Sequence, residues 1–100
     1  MPAYVINDMR VTDPALLEEY KELSPATIAR YGGRFLARGG RVETLEGAWE
    51  PERIVILEFP TFEQAKAWAN SADYAPARCI RQRAATSRLV VTDGLPAVQT

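Results

Sequence analysis

Six side chains have the chemistry and spacing to handle a small polar molecule: Arg38, Arg53, Glu58, Trp68, Tyr74 and Arg81. Glu58 falls near the end of the apolar run RIVILEF, on the same side as Ile54 and Ile56 if that run is extended. A carboxylate there is partly desolvated, which raises its pKa unless an arginine holds it ionised. Such a group suits a general base or a substrate hydrogen-bond acceptor, and Glu58 is the one candidate catalytic residue. It equally suits a structural ion pair with Arg38, Arg53 or Arg81. Arg38 and Arg53 stand either side of Gly39-Gly40 and the loop that follows. Their forked guanidinium groups fit a carboxylate or another small anion, or an ion pair between subunits. Tyr74 and Arg81, seven residues apart, share a face of any helix that carries both. Together they can orient an anionic substrate or tie the helix to its loop. Trp68, with Trp49, Phe62 and Tyr31, supplies either core or the apolar wall of a cavity for an aromatic or lipid-like ligand.

The composition excludes much else. The 100 residues contain no histidine, which removes the commonest general base, the commonest zinc and haem ligand, and every Ser-His or Cys-His nucleophilic pair. Cys79 is the single cysteine, so no internal disulfide and no cysteine metal cluster can form. A helical, buried and inert thiol is the expectation for it. Gly39-Gly40 lacks the lysine and hydroxyl residue of a phosphate loop. No cofactor and no metal are therefore expected. Twelve basic and thirteen acidic side chains give a net charge of −1, without the basic excess that nucleic acid requires. No uninterrupted apolar run is longer than Ile54–Leu57, which is far too short to span a membrane. The opening residues Met1-Pro2-Ala3-Tyr4 lack the basic and apolar regions of a signal peptide, which with the lone cysteine predicts a cytoplasmic protein.

The elements that must position these residues follow from local pattern. Tyr4 to Val11 alternates as a strand, with Tyr4 and Ile6 on one face and Val5, Met9 and Val11 on the other. Asp13-Pro14 opens a helix with an N-cap and a proline at the first turn, and Leu16, Leu17, Tyr20 and Leu23 form its apolar stripe. Ser24-Pro25 repeats the start signal, so a break is expected there before Gly32-Gly33 ends the segment. Arg34–Arg38 and Arg41–Glu46 read as a second strand with a bulge at Gly39-Gly40. Arg53–Phe59 is the third strand. Thr61 with Gln64 forms a capping box for a helix through Trp68. Asp73 is expected to cap a further helix through about Ala85, and Ser87–Thr92 is the last strand.

The order is β-α-β-β-α-β, an α+β domain over residues 1–94 with a tail at 95–100. Right-handed crossovers place the helices on one face of a four-stranded antiparallel sheet, the ferredoxin-like arrangement, with strands one and three in the middle. The third strand is apolar on both faces, so the helix-free face needs cover. A homodimer through that face is expected.

Several segments carry a family resemblance: Gly32–Gly40, Leu45–Arg53, Glu58-Phe59-Pro60, Ser71–Tyr74 and Arg81–Ala85. In that order they resemble the small bacterial family called domain of unknown function 1330, from about Tyr4 to Gly94. The resemblance implies a dimeric α/β barrel, two ferredoxin-like sheets closed face to face, and no activity. Relatives by fold include cofactor-free monooxygenases, haem-handling enzymes and muconolactone isomerase. The chain departs from the family pattern at Thr61, usually serine, and at Ala69, usually aromatic; the second change enlarges any pocket beside Trp68. The expected function is binding of a small anionic or aromatic molecule between sheet and helices. The rivals are a structural or regulatory dimer without turnover, and a cofactor-independent monooxygenase- or isomerase-like enzyme.

Overall fold

A computed structural model describes residues 1–96. Four strands, β1 (Ala3–Val11), β2 (Arg34–Arg38), β3 (Arg53–Phe59) and β4 (Ala85–Asp93), form one antiparallel sheet in the order β2-β3-β1-β4. Helix α1 (Pro14–Arg30) connects β1 to β2, and α2 (Phe62–Ala69) and α3 (Ala75–Ala84) connect β3 to β4. The architecture is α+β, with the two apolar-rich strands β1 and β3 central as their sequences require. Val5, Met9, Val55, Leu57 and Phe59 form the sheet side of the core, against Leu17, Ile28, Trp68 and Tyr74 from the helices. Tyr4, Ile6, Ile54 and Ile56 turn to the other face, which carries no helix and leaves Val90 60% exposed.

Helix α1 starts as expected, with the Asp13 carboxylate accepting from the Leu16 amide at 3.2 Å. It does not break at Ser24-Pro25: the helix runs through Pro25 to Arg30. A proline inside a helix has no N–H for the carbonyl four residues earlier. Here that carbonyl belongs to Lys21, and it accepts instead from Arg38 Nη2 at 3.3 Å. Gly32 then ends the helix at φ +80°, with the Gly32 amide donating to Ala29 and the Gly33 amide to Ile28. These two bonds satisfy the Ile28 and Ala29 carbonyls in the last turn of α1.

Strand β2 is shorter than expected. It stops at Arg38, and residues 40–52 form no strand. The register irregularity lies between Phe35 and Ala37, at Leu36, and not at Gly39-Gly40. Leu36 is the extra residue, so Phe35 faces Leu57 and Arg38 faces Val55, both on the helix side of the sheet. Their side chains meet there, with the Arg38 guanidinium 4.3 Å from the Phe35 ring centroid. Gly39, at φ +70°, turns the chain out of the sheet while its amide donates to the Ile54 carbonyl.

Thr61 caps α2 by accepting from the Gln64 amide at 3.1 Å. Gln64 returns a bond to Thr61, but to its hydroxyl rather than its backbone amide: Gln64 Oε1 accepts from Thr61 Oγ1 at 3.3 Å, while Gln64 Nε2 donates to the Tyr31 carbonyl at the end of α1. Asp73 does not cap α3. Tyr74 holds the N-cap position without a side-chain bond, and Asp73 pairs with Arg30 at 2.8 Å and accepts from the Tyr31 hydroxyl. Strand β4 begins at Ala85, two residues before the expected start, and follows α3 without a loop. Of the expected tail, residues 97–100 lie outside the described residues.

Candidate functional site

A narrow cavity of about 20 Å³ lies between the sheet and α1. That is room for little more than one water. Its floor is Val5, Asn7, Met9, Val55 and Leu57 from the central strands; its roof is Leu17, Tyr20, Ser24 and Ile28 from α1. Trp68 closes the inner end, and Lys21, Phe35, Arg38 and Arg53 stand around the rest. Strand parity explains the arrangement. Arg53 is two residues before Val55 and four before Leu57, so its side chain shares their helix-facing side. Asn7 lies between Val5 and Met9 on β1 and is 4% exposed.

Two polar atoms in this wall are buried and unpaired: Asn7 Oδ1 and Arg53 Nε. Buried polar groups normally find a partner, and each one left without costs about 1–3 kcal/mol. Arg38, at the exposed rim, is stacked on Phe35 and bonded to the Lys21 carbonyl. Among the described residues neither Arg38 nor Arg53 forms a salt bridge.

Behind the cavity lies a buried aromatic cluster. The hydroxyls of Tyr20 and Tyr74 are 2.7 Å apart, and Arg81 Nε donates to the Tyr74 hydroxyl at 3.2 Å. Arg81 is 7% exposed. Trp68 packs on Tyr74 at 4.2 Å between ring centroids, and its indole N–H donates to Thr27 Oγ1 at 3.1 Å. Burial first, then the neighbouring Tyr74 hydroxyl, pushes the Tyr20 phenol far above the ordinary tyrosine range; the Arg81 charge and a Ser24 hydrogen bond oppose this.

The structure thus brings Arg38, Arg53 and Trp68 to one cavity and joins Tyr74 and Arg81 to it through Tyr20. It does not bring Glu58. That side chain lies on the helix-free face with Ile54 and Ile56, and its partner is Arg34, at 2.7 Å, rather than Arg38, Arg53 or Arg81. A one-residue step along a strand reverses the face, so Glu58 and Leu57 serve opposite sides of the sheet. Trp49 is also elsewhere: 56% exposed, its indole N–H donates to Asp8 on the helix-free side. Asp8 also accepts from Arg88 there, and these residues border an open trough of about 830 Å³. Cys79 is exposed on α3, not buried, because it falls on the helix face away from Ala77, Arg81 and Ala84. Among the described residues no group of three or more His, Cys, Asp or Glu side chains could hold a metal ion, and no helix is long and apolar enough to cross a membrane.

Two wall residues were not singled out in the sequence. Asn7 had a signal: it interrupts Val5 and Met9 at an inward position of β1, where an apolar residue is the rule. Tyr20 reads as one more member of the apolar stripe of α1, and nothing local marks its hydroxyl.

The family model Domain of unknown function (DUF1330) matches residues 2–95. The chain belongs to this family. No curated protein matches the sequence. Among solved structures, this DUF1330 domain is similar to a protein of unknown function from Rhodopseudomonas palustris, with 23% identity and a TM-score of 0.73 over 95% of this chain and 83% of that one. It also resembles a dimeric ferredoxin-like protein of unknown function from Jannaschia sp. CCS1, at 11% identity and TM-score 0.68, covering 94% and 100% of the two chains. A third is SnoaB, a cofactor-independent oxygenase from Streptomyces nogalater, at 14% identity and TM-score 0.65 over 99% and 98%. These likenesses establish the ferredoxin-like fold.

Proposed function

We propose that this DUF1330 domain is a homodimeric small-molecule-binding protein whose ligand enters the cavity between sheet and α1. One observation carries the reading: Asn7 Oδ1 and Arg53 Nε are buried, unpaired and on the wall of the same cavity. A ligand with polar groups at those positions offsets a desolvation cost already present in the fold. The cavity as it stands is water-sized, so a ligand must displace part of the rim. Arg38 is the part that moves most cheaply, being exposed and held by one long hydrogen bond and its stacking on Phe35.

Dimerisation through the helix-free face rests on Ile6, Ile54, Ile56 and Val90, which lie on a sheet side with no helix over it. The dimeric ferredoxin-like neighbour supports the same reading. The trough under Trp49 is then part of the surface that the second subunit covers. Binding is preferred to turnover because Glu58, the carboxylate with a base's chemistry, lies across the sheet from the cavity. The oxygenase reading draws its support from fold alone, shared with SnoaB among others.

A thermal-shift panel of small carboxylic acids and phenols tests the cavity. At least one compound class should raise the melting temperature, and an Arg53→Met variant should lose that response. A flat response across the panel overturns the proposal.

A further inference from the structure

Resting on that reading of the cavity, we propose that its ligand is a small monocarboxylic acid with an apolar body, gripped by Arg53 and Arg38 and oriented by the Tyr20 hydroxyl. The charge of the lining points this way. Three cationic side chains, Lys21, Arg38 and Arg53, stand on the cavity wall, and among the described residues no aspartate or glutamate does. Lys21 is spoken for by Glu18 at 3.2 Å. The two arginines form no salt bridge among the described residues, and Arg81, deeper in the same layer, forms none either. Arg53, with its Nε buried and without counter-charge, and Arg38 at the rim beside it are best matched by a carboxylate, which takes both N–H groups of a guanidinium fork.

The hydroxyl network supplies the second contact. Tyr74 is 1% exposed, and its hydroxyl has two hydrogen-bond partners, Tyr20 and Arg81. Arg81 has only donors, so Tyr74 must donate its proton to Tyr20 or leave it buried and unused. Tyr20 therefore accepts from Tyr74, and its own O–H is free to turn toward Ser24 or the cavity that both residues line. Arg81, through Tyr74, is a positioning residue that fixes Tyr20 as a donor. An acceptor oxygen on the ligand completes the chain. The remaining lining, Leu17, Ile28, Val55, Leu57 and Trp68, is apolar and suits a hydrocarbon or aromatic body.

The test compares benzoate, benzamide and phenol, similar in shape but different in charge, by calorimetry on the full chain. Benzoate is expected to bind at least tenfold more tightly than either neutral compound. Arg53→Met should abolish that preference, and Tyr20→Phe should weaken benzoate several-fold while leaving benzamide within twofold. If Arg53→Met does not fold, Arg38→Met serves, since its side chain is exposed. Equal binding of benzoate and the neutral compounds overturns the carboxylate assignment and leaves the cavity reading standing. Benzoate binding that neither arginine variant alters also overturns it. Absence of binding by all three removes both.

Discussion

Pro25 and Arg38 are joined through a single atom, the Lys21 carbonyl oxygen. The first residue strips that oxygen of its helical partner; the second, on β2, returns one at 3.3 Å. The cavity rim and the continuity of α1 are thus one problem with one solution. The bulge at Leu36 is what turns Arg38 to the helix side so that it can reach.

This relationship predicts coupling. Pro25→Ala restores an amide to Lys21 and should stabilise the domain by about 1–2 kcal/mol in urea denaturation. Arg38→Ala should cost about 0.5–1 kcal/mol in the natural chain and clearly less in the Pro25→Ala background. Equal cost in both backgrounds would show that the two residues act separately.

Gly39 and Gly40 should respond differently to alanine. Gly39 has φ +70°, and a methyl group there would collide with the Arg53 guanidinium. Gly39→Ala should cost about 2 kcal/mol and lower benzoate affinity by displacing Arg53. Gly40 faces open space, so Gly40→Ala should stay within about 0.5 kcal/mol. Denaturation midpoints of the two variants give the comparison.

The helix-free face is tested at its centre. Ile56→Asp places a charge between the sheets of the proposed dimer and should yield a folded monomer of 11.1 kDa in sedimentation equilibrium, against twice that mass for the natural chain. Circular dichroism controls for folding. Unchanged association would place the interface elsewhere. Glu58→Gln, on the same face, should alter dimer affinity and leave benzoate binding untouched, the reverse of what a cavity base requires.

Tyr20 should leave a signature at high pH. Its folded-state pKa is raised by burial, so above about pH 10 the unfolded chain releases a proton that the folded chain retains. The unfolded state is then favoured, and stability falls as pH rises by up to about 1.4 kcal/mol per unit from this one group. Below pH 10 it contributes no slope. Tyr20→Phe should flatten the alkaline decline, as followed by denaturation between pH 9 and 11; an identical slope would mean Tyr20 ionises freely in the folded state.

Much of the fold was legible because its signals are local. RIVILEF shows both of its faces in seven residues, Asp13 and Thr61 announce their helices, and Gly32-Gly33 marks an end. The errors fall where a distant partner overrides a local rule. Pro25 reads as a break because no local pattern can show that an arginine thirteen residues on will take the freed carbonyl. Asp73 reads as a cap, but Arg30 and Tyr31 at the C-terminal end of α1 claim it. The site was half legible for the same reason. Side-chain type nominated Arg38, Arg53 and Trp68, whereas strand parity assigns Glu58 to the other face and admits Asn7.

The direct passage from α3 into β4 has a mechanical consequence. The Ala84 carbonyl at this corner accepts from the amides of Thr12 and Asp13 and from the Thr12 hydroxyl, riveting the end of one crossover to the start of the other. Slack in the domain is therefore concentrated in the stretch 40–52, where Gly47 sits at φ +92° in open space. Foreign sequence spliced after Gly47 should ride on the sheet without loosening it, while even one residue added between Ala84 and Ala85 should pull out the rivet and rotate β4 by a full pleat.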